Sequence, residues 1–333
     1  MHLNLLVPGL AWAKEDQLAT LLNQQSLPAL NQILRFSNKQ QGFDHLSSFY
    51  HQFLPQINEL DYLIHHHQLS TDQHYILASP VGLRLNRNHI DLADSAVLNV
   101  TQQEAQQICA DLNDFLIEEQ WRFIPVTTDL WLLNTPKALN IKTTSLYDVM
   151  GNNIEEYQPK GSDSFIVQKI LTEIQMVLFN HSVNQQREQT NLPAINAIWL
   201  WQTQQHEQKM PLDSVYFVPK PLWQQQLNCF DTPYDFKTWQ NTVTEEKITQ
   251  TQHYILLEDL LGATQYQDIW GYQDALVQLE QHYLQPAWQA LKSGQLASLS
   301  LYTHGPFGGH MKIKPHSHWA FWKKKQQFNG RIL

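Results

Sequence analysis

The stretch His2-Leu3-Asn4-Leu5-Leu6-Val7-Pro8-Gly9-Leu10 decides the fold class. Its apolar run has the length of a strand and stops at a proline and a glycine, the residues that punctuate regular backbone. This is the pattern of a buried strand entering a sharp turn, and it opens the sheet. Runs of the same kind recur at 74–78, 129–133, 194–201, 214–218, 253–257 and 296–303, each rich in branched or aromatic residues.

Helical patterns lie between these runs. Thr101 and Glu104 form a capping box, which satisfies the first free amides of a helix over 101–120 whose apolar residues fall at Ala105, Ile108, Leu112, Phe115 and Leu116. A second helix is predicted over 165–179, with Ile166, Ile170, Ile174, Val177 and Leu178 on one stripe. A third runs over 272–291 with Leu276, Leu279, Tyr283 and Trp288 inward, kinked or interrupted by Pro286. Met176, Trp199 and Trp201 read as core residues. Strands alternating with helices predict an α/β protein with a mostly parallel sheet flanked by helices, because parallel neighbours need a crossover. The stretch 75–201 reads as a centrally inserted α/β subdomain that handles a ligand, with 1–74 and 202–333 as the core.

A chain of 333 residues, 42% hydrophobic and only 16% charged, with 11 Trp, 12 Tyr and 14 Phe, belongs with folded proteins. The net charge of −9 argues against nucleic acid as a partner, since only Lys323-Lys324-Lys325 forms a basic run. Cys109 and Cys229 are far apart and lack zinc-site spacing, which predicts reduced thiols and a cytoplasmic setting. The N-terminal apolar run is too short for a signal peptide, and no stretch approaches bilayer-spanning length, so no membrane partner is expected.

Two groups of residues carry candidate chemistry. His304, His310, His316 and His318 sit among Gly305, Pro306, Gly308, Gly309 and Pro315, where a loop would gather imidazoles around a borderline metal. Arg84, Arg87, Asn184, Arg187 and Asn196 supply planar donor forks and amides suited to a small anion. Against the second reading, Asn184 and Arg187 also suit the end of the 165–179 helix, pairing with Glu173 or Glu188. His65-His66-His67 carries no site, because consecutive side chains diverge. Nucleotide, dinucleotide and nucleophile-elbow signatures are missing from the sequence.

Several strings resemble a known family. Ala78-Ser79-Pro80-Val81-Gly82-Leu83-Arg84 resembles its ADPvxLR segment, Thr172-Glu173-Ile174-Gln175-Met176 its TEIQM segment, and His181-Ser182-Val183-Asn184-Gln185-Gln186-Arg187 its HPVNxxR segment. Leu192-Pro193 through Trp199-Leu200-Trp201 looks like its LPxNsxWlWG element, except that Gln202 replaces the glycine. Val7-Pro8-Gly9-Leu10, Leu27-Pro28-Ala29-Leu30 and His318-Trp319-Ala320-Phe321-Trp322-Lys323 extend the likeness to both ends. The family is a bacterial one, termed RpfE-type regulatory or cofactor-independent phosphoglycerate mutase-like, and is similar to the archaeal-type mutases of alkaline-phosphatase-like fold. That resemblance implies a nucleophile and two divalent metals held by Asp and His. Here the sequence departs from the pattern: Pro8 stands for the first aspartate, Ala263 for the histidine four residues after Asp259, and Thr303 for the carboxylate before His304.

The resemblance therefore implies a degenerate mutase-like protein, regulatory or binding a small phosphorylated or carboxylate metabolite. A metal-dependent mutase or phosphatase is the alternative, with zinc or manganese at a site rebuilt from Asp259, His304, His316 and His318. A second alternative is an adaptor that captures a protein partner through the tail from Trp319 to Lys325.

Overall fold

The computed structural model describes residues 1–12, 22, 25–53, 59–85, 90–93, 95–150, 152–202, 213–218 and 229–333; Arg87 lies outside the described residues. In chain order the strands are β1 (His2–Leu6), β2 (Asn38–Gln40), β3 (His74–Leu85), β4 (Ile90–Ala93), β5 (Arg122–Pro125), β6 (Trp131–Thr135), β7 (Ala197–Trp201), β8 (Ser214–Phe217), β9 (Cys229–Phe230), β10 (Gln252–Leu256), β11 (Ser298–Thr303) and β12 (Gly309–Ile313). The helices used below are α1 (Pro28–Phe36), α2 (Leu46–Phe53), α3 (Gln102–Phe115), α4 (Ser164–Phe179), α5 (Ser182–Gln189), α6 (Phe236–Glu245), α7 (Ile269–Leu279) and α8 (Gln285–Lys292). The chain divides into two compact units, Met1–Gln56 with His206–Leu333, and Ile57–Gln205.

The first unit is a sheet in the order β2-β12-β11-β1-β10-β8-β9. β11, β1, β10, β8 and β9 run parallel, while β12 and β2 add an antiparallel edge. Central β1 is apolar nearly throughout because both its faces are covered, and Leu3, Leu5 and Leu6 are fully buried. One core joins these strands to α1 through Leu30 and Ile33, to α6 through Trp239, to α7 through Tyr272 and Leu276, and to α8 through Ala287 and Leu291.

Two local features shape this unit. The segment over 269–292 continues past Leu279 as a single π-helical turn, Glu280–Leu284, and resumes as α8 with Pro286 in its first turn. Pro286 has no N–H to give, and a π turn is a recognised way to absorb that loss inside a helix. The turn also carries the buried Glu280 carboxylate to the start of α1, where Oε1 accepts from Ala29 N at 2.7 Å and Oε2 from Leu30 N at 3.0 Å. Leu27 offers α1 no side-chain cap and Pro28 has no donor, so this carboxylate serves the amides that the helix leaves open.

The second unit has an antiparallel sheet. Long β3 pairs with β6 through Leu77 and Ala78 and with β7 through the same two residues, so these neighbours lie on opposite edges. β4 pairs with the far end of β3, and β5 with β6. α3 begins with the predicted Thr101–Glu104 capping box. Its Ile108 and Leu112 join Val167, Ile170, Ile174 and Leu178 of α4 and Trp131 and Leu133 of β6 in one core.

Two sequence expectations are corrected here. Met176 and Ile166 are exposed, at 69% and 49%, because the buried stripe of α4 runs through Val167, Ile170, Ile174 and Leu178 and turns both away. Trp199 and Trp201, by contrast, are buried. The histidine-rich segment after β11 is not loop throughout: residues Gly309–Ile313, with His310, form the return strand of a hairpin, Tyr302 opposite His310 and Thr303 opposite Gly309. Cys109 and Cys229 are free thiols, and burial pushes Cys229 up to about 11. Among the described residues no helix is long and apolar enough to cross a membrane.

Candidate functional site

In an open α/β sheet, ligands gather beyond the carboxyl ends of the parallel strands. In this chain that edge is built by β11, β1 and β10, side by side in the sheet order. The pairing continues one step past the strands, through Val7 N to Tyr302 O at 2.8 Å and Leu257 N to Leu6 O at 2.8 Å. Pro8, Glu258 with Asp259, and His304 therefore leave neighbouring strands at the same level. Gly9 turns the chain away with φ +81°, and a Cβ there would stand 2.9 Å from the Leu260 carbonyl oxygen, so this turn requires glycine.

Aromatic side chains accompany this edge. Phe49 of α2 lies 6.1 Å from the His304 ring, and Phe53 lies 4.4 Å from Tyr302, measured between ring centroids. The Tyr50 hydroxyl donates to Glu258 Oε1. Burial pushes the Glu258 carboxyl above its ordinary value; the Tyr50 bond pulls it back and the Asp259 charge adds to the rise. Asp259 itself is exposed. The edge thus carries one carboxyl bonded to a phenol, one exposed carboxylate, one imidazole and a proline.

The remaining histidines go elsewhere. His310, on β12, stacks on Tyr302 with centroids 4.1 Å apart, and burial lowers its pKa, with Lys312 adding to the fall. His316 and His318 belong to a short 3-10 turn, Pro315–Trp319, beyond the far end of β12. His304 precedes that strand, so the two groups are separated by its five residues, or roughly 16 Å at strand rise. His318 Nδ1 meets the Pro315 carbonyl, and its ring lies against Trp288 and Trp319. Asp259, His304, His316 and His318 are therefore not brought together as one set. Among the described residues, no three His, Cys, Asp or Glu side chains gather to hold a metal ion. A pair of divalent cations needs several carboxylates to neutralise it, and the described residues at this edge do not fit such a pair.

The candidate anion set of the second unit is differently built. Arg187 is 1% exposed; its Nε donates to Pro193 O at 2.7 Å, Nη1 to Glu104 Oε1 at 2.7 Å, and Nη2 to Leu98 O. Asn184 Nδ2 donates to Leu178 O and Ile195 O, both at 2.7 Å, and its Oδ1 accepts from Ile195 N at 2.8 Å. Asn196 brackets Leu83, accepting from its N–H at 2.7 Å and donating to its carbonyl at 2.9 Å. His181 caps α5 by accepting from Val183 N at 3.2 Å, and its Nε2 lies 2.9 Å from Asp111. Glu104 is hidden in the sequence as a partner of Arg187, because its helix-capping role already accounts for it.

Arg84 is exposed near the end of β3. Its neighbour Leu83 lines a cavity of about 190 Å³ beside Leu171, Thr172 and Gln175 of α4. Strand alternation turns Arg84 to the opposite face, away from that cavity.

The geometry can be set beside known proteins. Residues 79–184 match the family model described as 2,3-bisphosphoglycerate-independent phosphoglycerate mutase. Mutases so named from Methanosarcina mazei and Methanosarcina acetivorans are each 27% identical over 131 residues, which is 38% of this chain and 33% of theirs. One from Methanothrix thermoacetophila is 36% identical over 58 residues, covering 17% of this chain and 15% of that one. The matching stretch thus spans about a third or less of the curated relatives. Among solved structures, a cofactor-independent phosphoglycerate mutase from Thermoplasma acidophilum superposes with a TM-score of 0.46 at 11% identity, over 99% of this chain and 94% of that one. A Pyrococcus horikoshii protein gives 0.44 at 10% identity, over 93% and 86%.

Proposed function

We propose that this chain is a phosphoglycerate-mutase-like protein of alkaline-phosphatase-like lineage, without a working two-metal centre, that serves as a regulatory or small-anion-binding module. The observation that carries the reading is the make-up of the strand edge, where Pro8, Glu258, Asp259 and His304 stand together beside Tyr50 and Phe49. In-line phosphoryl transfer between two cations needs their charge balanced by fixed carboxylates, and a carboxyl hydrogen-bonded to a phenol in a buried setting is poorly suited to that task. The matching family segment supports the lineage, and the polar network of Glu104, Asn184 and Arg187 supports a structural role for its most distinctive residues. Of the anion candidates described, Arg84 alone presents an exposed guanidinium, and an oxyanion at the surface of the second unit is its fitting ligand.

Calorimetric titration of manganese into the full chain tests the loss of the metal centre. The expected result is no stoichiometric binding tighter than about 100 μM. Manganese bound at two equivalents and lost in His304→Ala would support the enzyme alternative.

A further inference from the structure

The basic end of the chain forms part of a groove that the proposed function does not use. The groove lies in the first unit along edge strand β2 and has a volume of about 680 Å³. Arg35, Lys39, Lys323 and Lys324 line it, and no acidic side chain is among its lining residues. The tail is held in place rather than left loose. Arg35 donates from Nε to Lys323 O at 2.7 Å and from Nη2 to Phe321 O at 2.6 Å, and Lys323 Nζ reaches Phe36 O at 3.2 Å. Phe328 N donates to Asn31 Oδ1 at 2.8 Å, fastening the chain just beyond.

These bonds divide the four cations by role. Arg35 and Lys323 answer backbone carbonyls, including one at the carboxyl end of α1 where such charge is favoured. Lys39 Nζ has a neutral amide, Gln326 Oε1, at 2.9 Å, and Lys324 is exposed. Burial and the nearby Lys323 charge both lower the Lys39 pKa, and no carboxylate offsets them. Ser37 also lines the groove, and its buried hydroxyl has no hydrogen-bond partner among the described residues. A cluster of like charges and an unused buried hydroxyl are each unfavourable in the free protein, and an anion relieves both.

We propose that this groove binds a compact phosphate-bearing anion, with Lys39 and Lys324 supplying charge and the Ser37 hydroxyl a donor. Phosphate is favoured over carboxylate because the free donors are lysine ammonium groups, which act as point charges, whereas the planar Arg35 fork suited to carboxylate is occupied by two carbonyls. The site is separate from Arg84 and stands whether or not that residue binds an anion.

The test is isothermal titration of the full chain with inorganic pyrophosphate at low ionic strength. Saturable binding is expected, weakening as salt is raised. The double variant Lys39→Gln/Lys324→Gln should bind at least about tenfold more weakly, whereas Arg84→Gln should bind like the parent. An unchanged thermal midpoint will show that the double variant is folded. No saturable heat up to roughly 10 mM pyrophosphate overturns the proposal, as does equal affinity in the double variant. Citrate binding more tightly than pyrophosphate would assign the groove to carboxylates instead. Lysine-dependent sedimentation with phosphatidylserine vesicles, without pyrophosphate binding, would assign it to a membrane surface.

Discussion

Replacing Arg187 with leucine is expected to lower folding stability by about 3–5 kcal/mol, the range for removing one member of a buried ion pair. Leucine fills much of the space, so the loss comes from what is left behind: the Glu104 carboxylate keeps only its Thr101 donors, and the carbonyls of Leu98 and Pro193 lose the guanidinium. Urea unfolding reads the change as a lower midpoint at an unchanged slope. The pH dependence gives a second signature. Burial pushes Glu104 up, but hydrogen bonds from Thr101 and Arg187 outweigh it and hold the carboxyl below its ordinary 4.5. A depressed folded-state value means a contribution present above the unfolded pKa and lost as pH falls through the folded one. Arg187→Leu should flatten that acid limb. A variant that keeps full stability would return Arg187 to the ligand role its sequence suggests.

Glu280→Ala is expected to cost about 2–4 kcal/mol, since two buried amides at the start of α1 lose their acceptor and each orphaned group costs about 1–3. Burial raises the Glu280 carboxyl above its ordinary 4.5, while the bonds from Ala29, Leu30 and Gln285 pull the other way. Burying the charge offsets part of that benefit, which places the loss below the sum of two full penalties. Because the folded value is raised, the wild type is relatively favoured below the unfolded pKa and loses that advantage as pH rises through the folded value. The alanine variant should lack this slope in a series of denaturant midpoints. A midpoint equal to the wild type would mean that water caps α1 unaided.

What the sequence revealed follows from what periodicity encodes. The run His2–Leu6, the capping box at Thr101 and the helix over Ser164–Phe179 were legible because each is written in adjacent residues. The parallel partners of β1 lie 250 and 296 residues downstream, and no local pattern names them. Glu280 was invisible for the same reason, since its amides belong to a helix at the other end of the chain. β12 is hidden in the sequence because its short Gly309–Ile313 run follows Gly305, Pro306 and Gly308, turn residues that mask a strand. Met176 was placed inside by its apolar character alone, although the 3.6-residue period turns it outward.

For the site, composition conveyed more than constellation. Against the family pattern that the chain resembles, Pro8 and Thr303 are legible as missing carboxylates and Ala263 as a missing histidine, and the structure adds that Tyr50 engages Glu258. The pairing of Arg187 with Glu104 was not visible, because an arginine that recognises a ligand and one that clasps the fold have the same one-letter signature.

Under the proposed function, the strand edge of β11, β1 and β10 does not support metal-dependent phosphoryl transfer. The most direct test is a phosphorus NMR assay of the purified full chain with 3-phosphoglycerate and added manganese. The 3-phosphoglycerate resonance is expected to persist unchanged, with no 2-phosphoglycerate or inorganic phosphate formed above a protein-free control. Conversion to either product, abolished by His304→Ala, would contradict it.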